Sequence, residues 1–236
     1  MSGAGVGDGA RAGGAGGGAG FDGAGVGGAG GGAGFDGAGV DGAGVDGAGE
    51  TDPMSLLLDW LPANDEVDRP QATLATVSPG GWPDARTVLL SSAGPDGVSF
   101  HTDAHSRKVA DIEADPRVAL TVLWPGFTRQ LVIRGIAECA APDDLAAAYR
   151  RRSPYLQQLA WQNTPDFALL APAERMLRWA AFTAEHPLGF DQPDNWAGFL
   201  VRPVRVTFWE SNTDAASRRL EYTLADGRWT LEALPG

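Results

Sequence analysis

Residues 101–108 read His-Thr-Asp-Ala-His-Ser-Arg-Lys, and the last three stand at the start of a predicted helix over 106–114 that Asp115-Pro116 stops. Cations in a first helical turn are opposed by the helix dipole, which favours anions there. A phosphate changes the balance, because it accepts the free N–H groups of the turn, the Ser106 hydroxyl and the charges of Arg107 and Lys108 together. The same residues also fit a solvated basic helix start, and spacing alone leaves both readings open. Lys108 favours the first: it is the only lysine among 18 basic residues, in a chain whose Ala, Gly and Arg content points to a GC-rich genome that replaces lysine. Arg86, Arg129-Gln130 and Arg219 lie on or begin predicted strands. Singly, each fits a surface or barrel-edge polar group. Together they offer cations for a phosphate and hydrogen bonds for the edge of a flavin ring.

The elements that must position these residues are mostly short strands. Alternation and β-branched content predict strands over 71–77, 85–91, 98–102, 118–124, 130–139, 204–210, 219–224 and 228–234. Gly-Pro-Asp-Gly at 94–97 and Asp226-Gly227 predict hairpin turns. Helices are expected over 106–114, with Val109, Ala110 and Ile112 facing inward, over 142–152 and over 171–185. This pattern predicts a mainly β protein with helical insertions, an antiparallel barrel. It excludes a doubly wound parallel sheet, since regular strand–helix alternation is missing and no GxGxxG stands between a strand and a helix.

Within residues 1–53, the stretch 2–49 is mostly Gly and Ala, punctuated by Val, Asp and Phe, with a near-perfect repeat at 37–49. Such a stretch buries too little apolar surface to offset its conformational entropy and is expected to be disordered, with one folded domain over 54–236. It has neither the apolar core of a signal peptide nor a collagen period. A formal net charge of -12 argues against a general nucleic-acid partner, and no apolar run is long enough for a membrane helix. A single cysteine, Cys139, excludes an intrachain disulfide and paired-cysteine zinc sites, predicts no metal and fits a reducing cytoplasm.

Six blocks, RTVLLS (86–91), FHTDAHSRK (100–108), DPRVALTVLW (115–124), TRQLVIRGIAE (128–138), NWAGFLVRP (195–203) and VTFWE (206–210), occur in the same order in pyridoxamine 5'-phosphate oxidases, which this chain resembles over nearly all of 54–236. The resemblance implies a split antiparallel β-barrel that forms a homodimer with FMN at the interface. It implies that Arg86 and the backbone of Val88, Leu89 and Leu90 lie along the flavin, with His101, where the family usually has Tyr, and Thr102 beside it. Ser106, Arg107 and Lys108 would take the phosphate, Gln130 the isoalloxazine edge, Trp196 would flank the cofactor, and Arg219 matches the second arginine of the family's RLHDR stretch.

The family's substrate residues are changed. Its lysine at the end of the RxVLLK strand is Ser91, and the first Arg and the His of RLHDR are Ala215 and Ser217. Tyr149 matches a substrate tyrosine, but the following Arg-Pro is Ser153-Pro154, with Arg152 one residue off. The resemblance therefore implies an FMN-dependent oxidoreductase that moves hydride between a small, heteroaromatic substrate and flavin, with no catalytic side chain assigned. The alternatives are a true pyridoxine/pyridoxamine 5'-phosphate oxidase in which neighbouring arginines replace the lost contacts, a non-catalytic flavin-binding protein, and a deazaflavin-dependent relative.

Overall fold

The computed structural model describes residues 52–66 and 69–236. The reading of 1–51 as a disordered segment lies outside the described residues. Eight strands form one antiparallel sheet: β1 (Gln71–Val77), β2 (Pro83–Gly94), β3 (Gly97–Asp103), β4 (Arg117–Leu123), β5 (Arg129–Cys139), β6 (Trp196–Glu210), β7 (Arg218–Ala225) and β8 (Arg228–Pro235). They run in the order β3-β2-β1-β4-β5-β6-β7-β8, and an additional β3–β6 pairing closes the first six into a barrel. Closure removes the unpaired edges that an open sheet would expose.

The long strand β6 divides its partners. Its first half, Trp196 to Val201, pairs with β3, and its last six residues, Arg205 to Glu210, pair with β7. The handover falls around Pro203, which has no N–H to give a ladder, and beside a register shift at Arg134/Gly135 of β5. The β7–β8 hairpin, turned by Asp226 and Gly227 with φ of 51° and 74°, thus extends beyond the barrel. Sequence patterning had located only residues 204–210 of β6, because Gly198 and Pro203 interrupt the β-branched run in its first part.

The helices are α1 (Pro53–Trp60), α2 (Arg107–Ala114), α3 (Pro142–Arg150), α4 (Pro154–Gln162), α5 (Pro165–Ala168) and α6 (Pro172–Glu185). Asp52 caps α1 by accepting from the Met54 N–H, and Met54 and Leu57 enter the core. Helices α4 and α5 were not expected from periodicity. Each starts on a capping hydroxyl followed by proline: Ser153-Pro154 accepts from Leu156 N, and Thr164-Pro165 accepts from Phe167 N.

On α2, Val109 and Ile112 are buried, but the third inward residue is Asp111, while Ala110 is exposed. The inward set assigned Ala110 by polarity; a hydrogen-bonded network overrides that preference. The Asp111 carboxylate accepts from Thr76 Oγ1 at 2.7 Å and Arg86 Nη2 at 3.2 Å, and Arg86 also reaches Thr76 Oγ1 at 2.6 Å and Asp84 at 2.7 Å. A buried charge with this many partners is compensated.

Among the described residues, the core takes in α1 through Met54 and Leu57. Deleting residues 1–51 is expected to leave the melting temperature and flavin content unchanged, checked by thermal melts and absorption spectra of both forms; a loss in either would place part of the folded domain upstream.

Candidate functional site

Helix α2 begins on Ser106, whose side chain makes no capping bond and instead donates to the Asp103 carbonyl at 2.7 Å. No acidic residue stands in the first turn. Of the first-turn N–H groups, that of Val109 donates to the Ser106 carbonyl at 2.9 Å, whereas those of Arg107 and Lys108 have neither an intrahelical acceptor nor a side-chain cap. Lys108 Nζ donates to Thr102 Oγ1 at 3.0 Å, and Thr102 Oγ1 lies 3.4 Å from Ser106 Oγ. Burial, with Arg86 nearby, lowers the Lys108 pKa. The hairpin-borne β3 and the helix start thus hold an ammonium, two hydroxyls and free backbone donors at one place, a donor set that fits a phosphate.

This cluster opens on a cavity of about 490 Å3, in the range of sites for small molecules and cofactors. Val88, Leu89, His101, Thr102, Ser106, Lys108, Arg152 and Trp196 all line it. Sequence reasoning missed Asp103, Asn195 and the α4–α5 wall (Leu156, Leu159, Ala160, Asn163, Thr164). Asn195 donates to Asp103 at 2.8 Å and so joins the β6 entrance to the end of β3. The two Ser/Thr-Pro helix starts were the signal available for the α4–α5 wall.

His101 is 8% exposed, and its ring lies parallel to Trp196, 5.2 Å between centroids. Its pKa falls to about 4, first because burial disfavours the imidazolium and then because Arg152 and Arg151 repel it. The Arg152 guanidinium lies 4.3 Å from the Trp196 ring centroid and donates to the Leu156 carbonyl. Burial lowers its pKa to about 10. Arg152, Leu89 and Leu156 also line a second cavity of about 540 Å3, with Ser91, Arg69 and Arg151. Tyr149 is buried against the edge of Trp196, and its hydroxyl donates to the Gln157 carbonyl at 3.3 Å.

Other expected residues lie elsewhere. Arg86 is engaged by Thr76, Asp84 and Asp111, behind the helix start. Leu90 is core and touches only the second cavity, and Arg107 is exposed and does not line the first. Gln130 and Arg219 are neighbours of Trp209 in one cross-strand row, Gln130↔Trp209↔Arg219, at the opposite end of β6 from Trp196. Trp209 packs on Phe127 at 4.6 Å and donates to Ser217 Oγ at 3.0 Å. Paired residues share a sheet face, so this row forms a second polar–aromatic surface, outside the first cavity.

Residues 63–185 match the family model described as pyridoxamine 5'-phosphate oxidase, and residues 196–235 match the pyridoxine 5'-phosphate oxidase C-terminal dimerisation region, which here is β6 to β8. This chain belongs to the pyridoxamine 5'-phosphate oxidase family. It is 33% identical over 189 residues to a pyridoxine/pyridoxamine 5'-phosphate oxidase of Bacteroides thetaiotaomicron, covering 78% of this chain and 88% of the relative. It is 36% identical to one of Chromobacterium violaceum, covering 72% and 80%. Among solved structures, PhzG from Burkholderia lata, in complex with tetrahydrophenazine-1-carboxylic acid, shares the fold at a TM-score of 0.65 and 21% identity, covering 78% of this chain and 92% of that one. A pyridoxamine 5'-phosphate oxidase-related, FMN binding protein of Nostoc punctiforme aligns at 0.61 and 20%, covering 81% and 100%. Membership makes this chain an FMN-dependent oxidoreductase with the family's C-terminal dimerisation region.

The buried neutral His101 has a consequence for stability. The unfolded chain takes up its proton near the ordinary value of 6.5, whereas the folded chain does so only near about 4. Between these values the unfolded state binds more protons, so this residue's contribution is constant above the upper value and stability falls as pH drops through the window. His101→Phe, which keeps a ring beside Trp196, is expected to flatten the loss in melting temperature between pH 7 and pH 4.5 relative to wild type. Parallel curves would mean that His101 does not titrate in this range.

Proposed function

We propose that this protein is an FMN-dependent oxidase of a small planar substrate that carries an anionic group. The observation that carries the cofactor placement is the convergence of Lys108, Thr102, Ser106 and the start of α2 on one cavity. Lys108 and the helix start hold the phosphate, Thr102 orients the ammonium, and Val88, Leu89, His101 and Trp196 line the space beside them. Bound FMN supplies the hydride acceptor, and the protein supplies orientation, charge and exclusion of water. Arg152 stands at the wall shared by both cavities, and among the described residues no carboxylate pairs with it. A guanidinium in this position receives a carboxylate or phosphate of the substrate. Tyr149 supports it through Trp196 rather than by offering its hydroxyl.

Gln130 and Arg219 enter this reading through a second protomer. Their row with Trp209 lies on the segment matched as a dimerisation region. In a homodimer, the row of one subunit meets the cradle of the other and supplies the hydrogen bonds for the ring edge, which places FMN at the interface. The protein acts in the cytoplasm, where Cys139 stays reduced. A second reading, a true pyridoxine/pyridoxamine 5'-phosphate oxidase, is favoured by the names of the curated relatives. Against it stand Ser91, Ala215 and Ser217 in place of family cations and histidine, with Ser217 already accepting from Trp209.

Titrating FMN into cofactor-free protein tests the placement. Lys108→Ala removes a charge-assisted contact of about 1.5–3 kcal/mol and is expected to weaken binding roughly 10- to 150-fold. Arg107→Ala is expected to change it less than about threefold, under about 1 kcal/mol. Equal effects of the two would move the phosphate outside the cavity. Oxygen-dependent turnover of pyridoxamine 5'-phosphate would establish the second reading, and a deazaflavin spectrum in the purified protein would replace the cofactor.

The composite site has its own test. Subunits carrying Lys108→Ala and Arg219→Ala are co-expressed with different tags and the mixed dimer is isolated. A shared site yields one intact and one doubly altered pocket, so half of the sites bind FMN with wild-type affinity. Sites confined to single chains would yield none.

A further inference from the structure

Ser91 stands where the family has a lysine, and His101 stands where it usually has tyrosine. In this chain the two are joined: Ser91 Oγ lies 2.7 Å from His101 Nδ1. The contact depends on a local irregularity. Leu90 pairs with Phe100 and Ser92 with Ser99, so the register between β2 and β3 shifts across Ser91. A bulge of this kind re-aims a side chain.

The other ring nitrogen has no partner. His101 Nε2 is buried without a hydrogen bond, the only buried side-chain nitrogen or oxygen so left among the described residues. A Cβ built on Gly198, directly opposite His101 in β6, would come within 2.5 Å of Cδ2, 2.8 Å of Nε2 and 2.7 Å of a Leu145 methyl. Glycine at 198 therefore makes the space into which the ring fits, and that space is apolar. A proton on Nε2 would be a buried donor with nothing to donate to, and a stranded donor is costlier and rarer than a stranded lone pair. The stable arrangement puts the proton on Nδ1, donated to Ser91 Oγ, and leaves only the Nε2 lone pair unpaired.

We propose that Ser91 is a positioning residue: it fixes His101 as the neutral Nδ1–H tautomer, and the ring so held seats Trp196, on which Arg152 rests, at the wall shared by the cofactor cavity and the second cavity. Ser91 and His101 are on this view a matched pair of replacements. A lysine at 91 would offer only donors to Nδ1 and force the proton onto Nε2, against Gly198 and Leu145. A tyrosine at 101 would bring its hydroxyl into the same apolar space. The lost family lysine is then not a missing substrate contact alone; its replacement holds the ring that braces the wall.

The proposal builds on the cofactor placement given above, but the pair can be tested without cofactor. Among three histidines, His105 is exposed and His186 lies in a separate aromatic cluster, so the His101 ring can be assigned by nitrogen-15 NMR. In cofactor-free wild-type protein at pH 7, His101 is expected as the neutral Nδ1–H form. Ser91→Ala and Ser91→Lys are expected to lose that signature, Ser91→Thr to keep it. In the same series, FMN affinity should fall roughly tenfold for Ser91→Ala and return with Ser91→Thr. A wild-type His101 protonated on Nε2 overturns the proposal, as does a Ser91→Ala protein that keeps the Nδ1–H form and wild-type affinity. If Ser91→Ala does not fold, the wild-type spectrum and Ser91→Thr still decide. Failure of wild-type protein to bind FMN would overturn the cofactor placement and leave the tautomer result standing.

Discussion

One buried carboxylate anchors the helix that borders the cavity. Asp111 on α2 accepts from Thr76 on β1 and Arg86 on β2, and Arg86 also bonds Thr76 and Asp84. Two consecutive strands and a helix 25 to 35 residues further on meet at this network, and each charge in it has a partner. An eight-residue helix is too short to be stable by itself. Its attachment to the barrel holds its N-terminus, with Lys108, against Thr102 at the end of β3. The placement of Lys108 and the helix start beside the cavity is therefore an outcome of how the helix is tethered from beneath.

Barrel closure sets the second constraint. Pairing of β3 with the first half of β6 brings Asp103, Asn195 and Trp196 to the cavity rim, and handing β6 over to β7 at Pro203 carries Gln130, Trp209 and Arg219 to the far end. Under the proposed cofactor placement, the residues that meet the flavin stand at two ends of one strand. A two-fold assembly reunites such halves, since each subunit offers both surfaces.

Charge on the cavity wall is limited in the same economical way. Arg152 is placed on Trp196, and the ring beside the indole is an imidazole kept neutral by burial and by the two arginines near it. A protonated His101 would set a second cation in the stack. Neutrality leaves the guanidinium as the charged group there, free to meet an anion.

Much of this was legible in the sequence. Period-two alternation and the Gly-Pro-Asp-Gly and Asp-Gly turns located most strands, and Ser-Arg-Lys at a helix start pointed to phosphate, because these are local properties of backbone and charge. The ordered motif blocks identified the family. What the sequence left open was decided by pairing between distant segments. Polarity alone placed Ala110 inward, whereas Asp111 is buried because Thr76 and Arg86 reach it. Arg86 reads as a cofactor contact, and only the folded barrel shows that it bonds Thr76, Asp84 and Asp111; Arg107 and Lys108 read as equals, yet only Lys108 lines the cavity. The links of Ser91 to His101, and of Gln130 and Arg219 to Trp209, exist only across strands, where register fixes which side chains meet. Sequence determined the elements and the chemistry they carry; the tertiary structure decided which charges are spent on holding the fold and which remain for a ligand, because that division depends on partners the chain brings together only when the barrel closes.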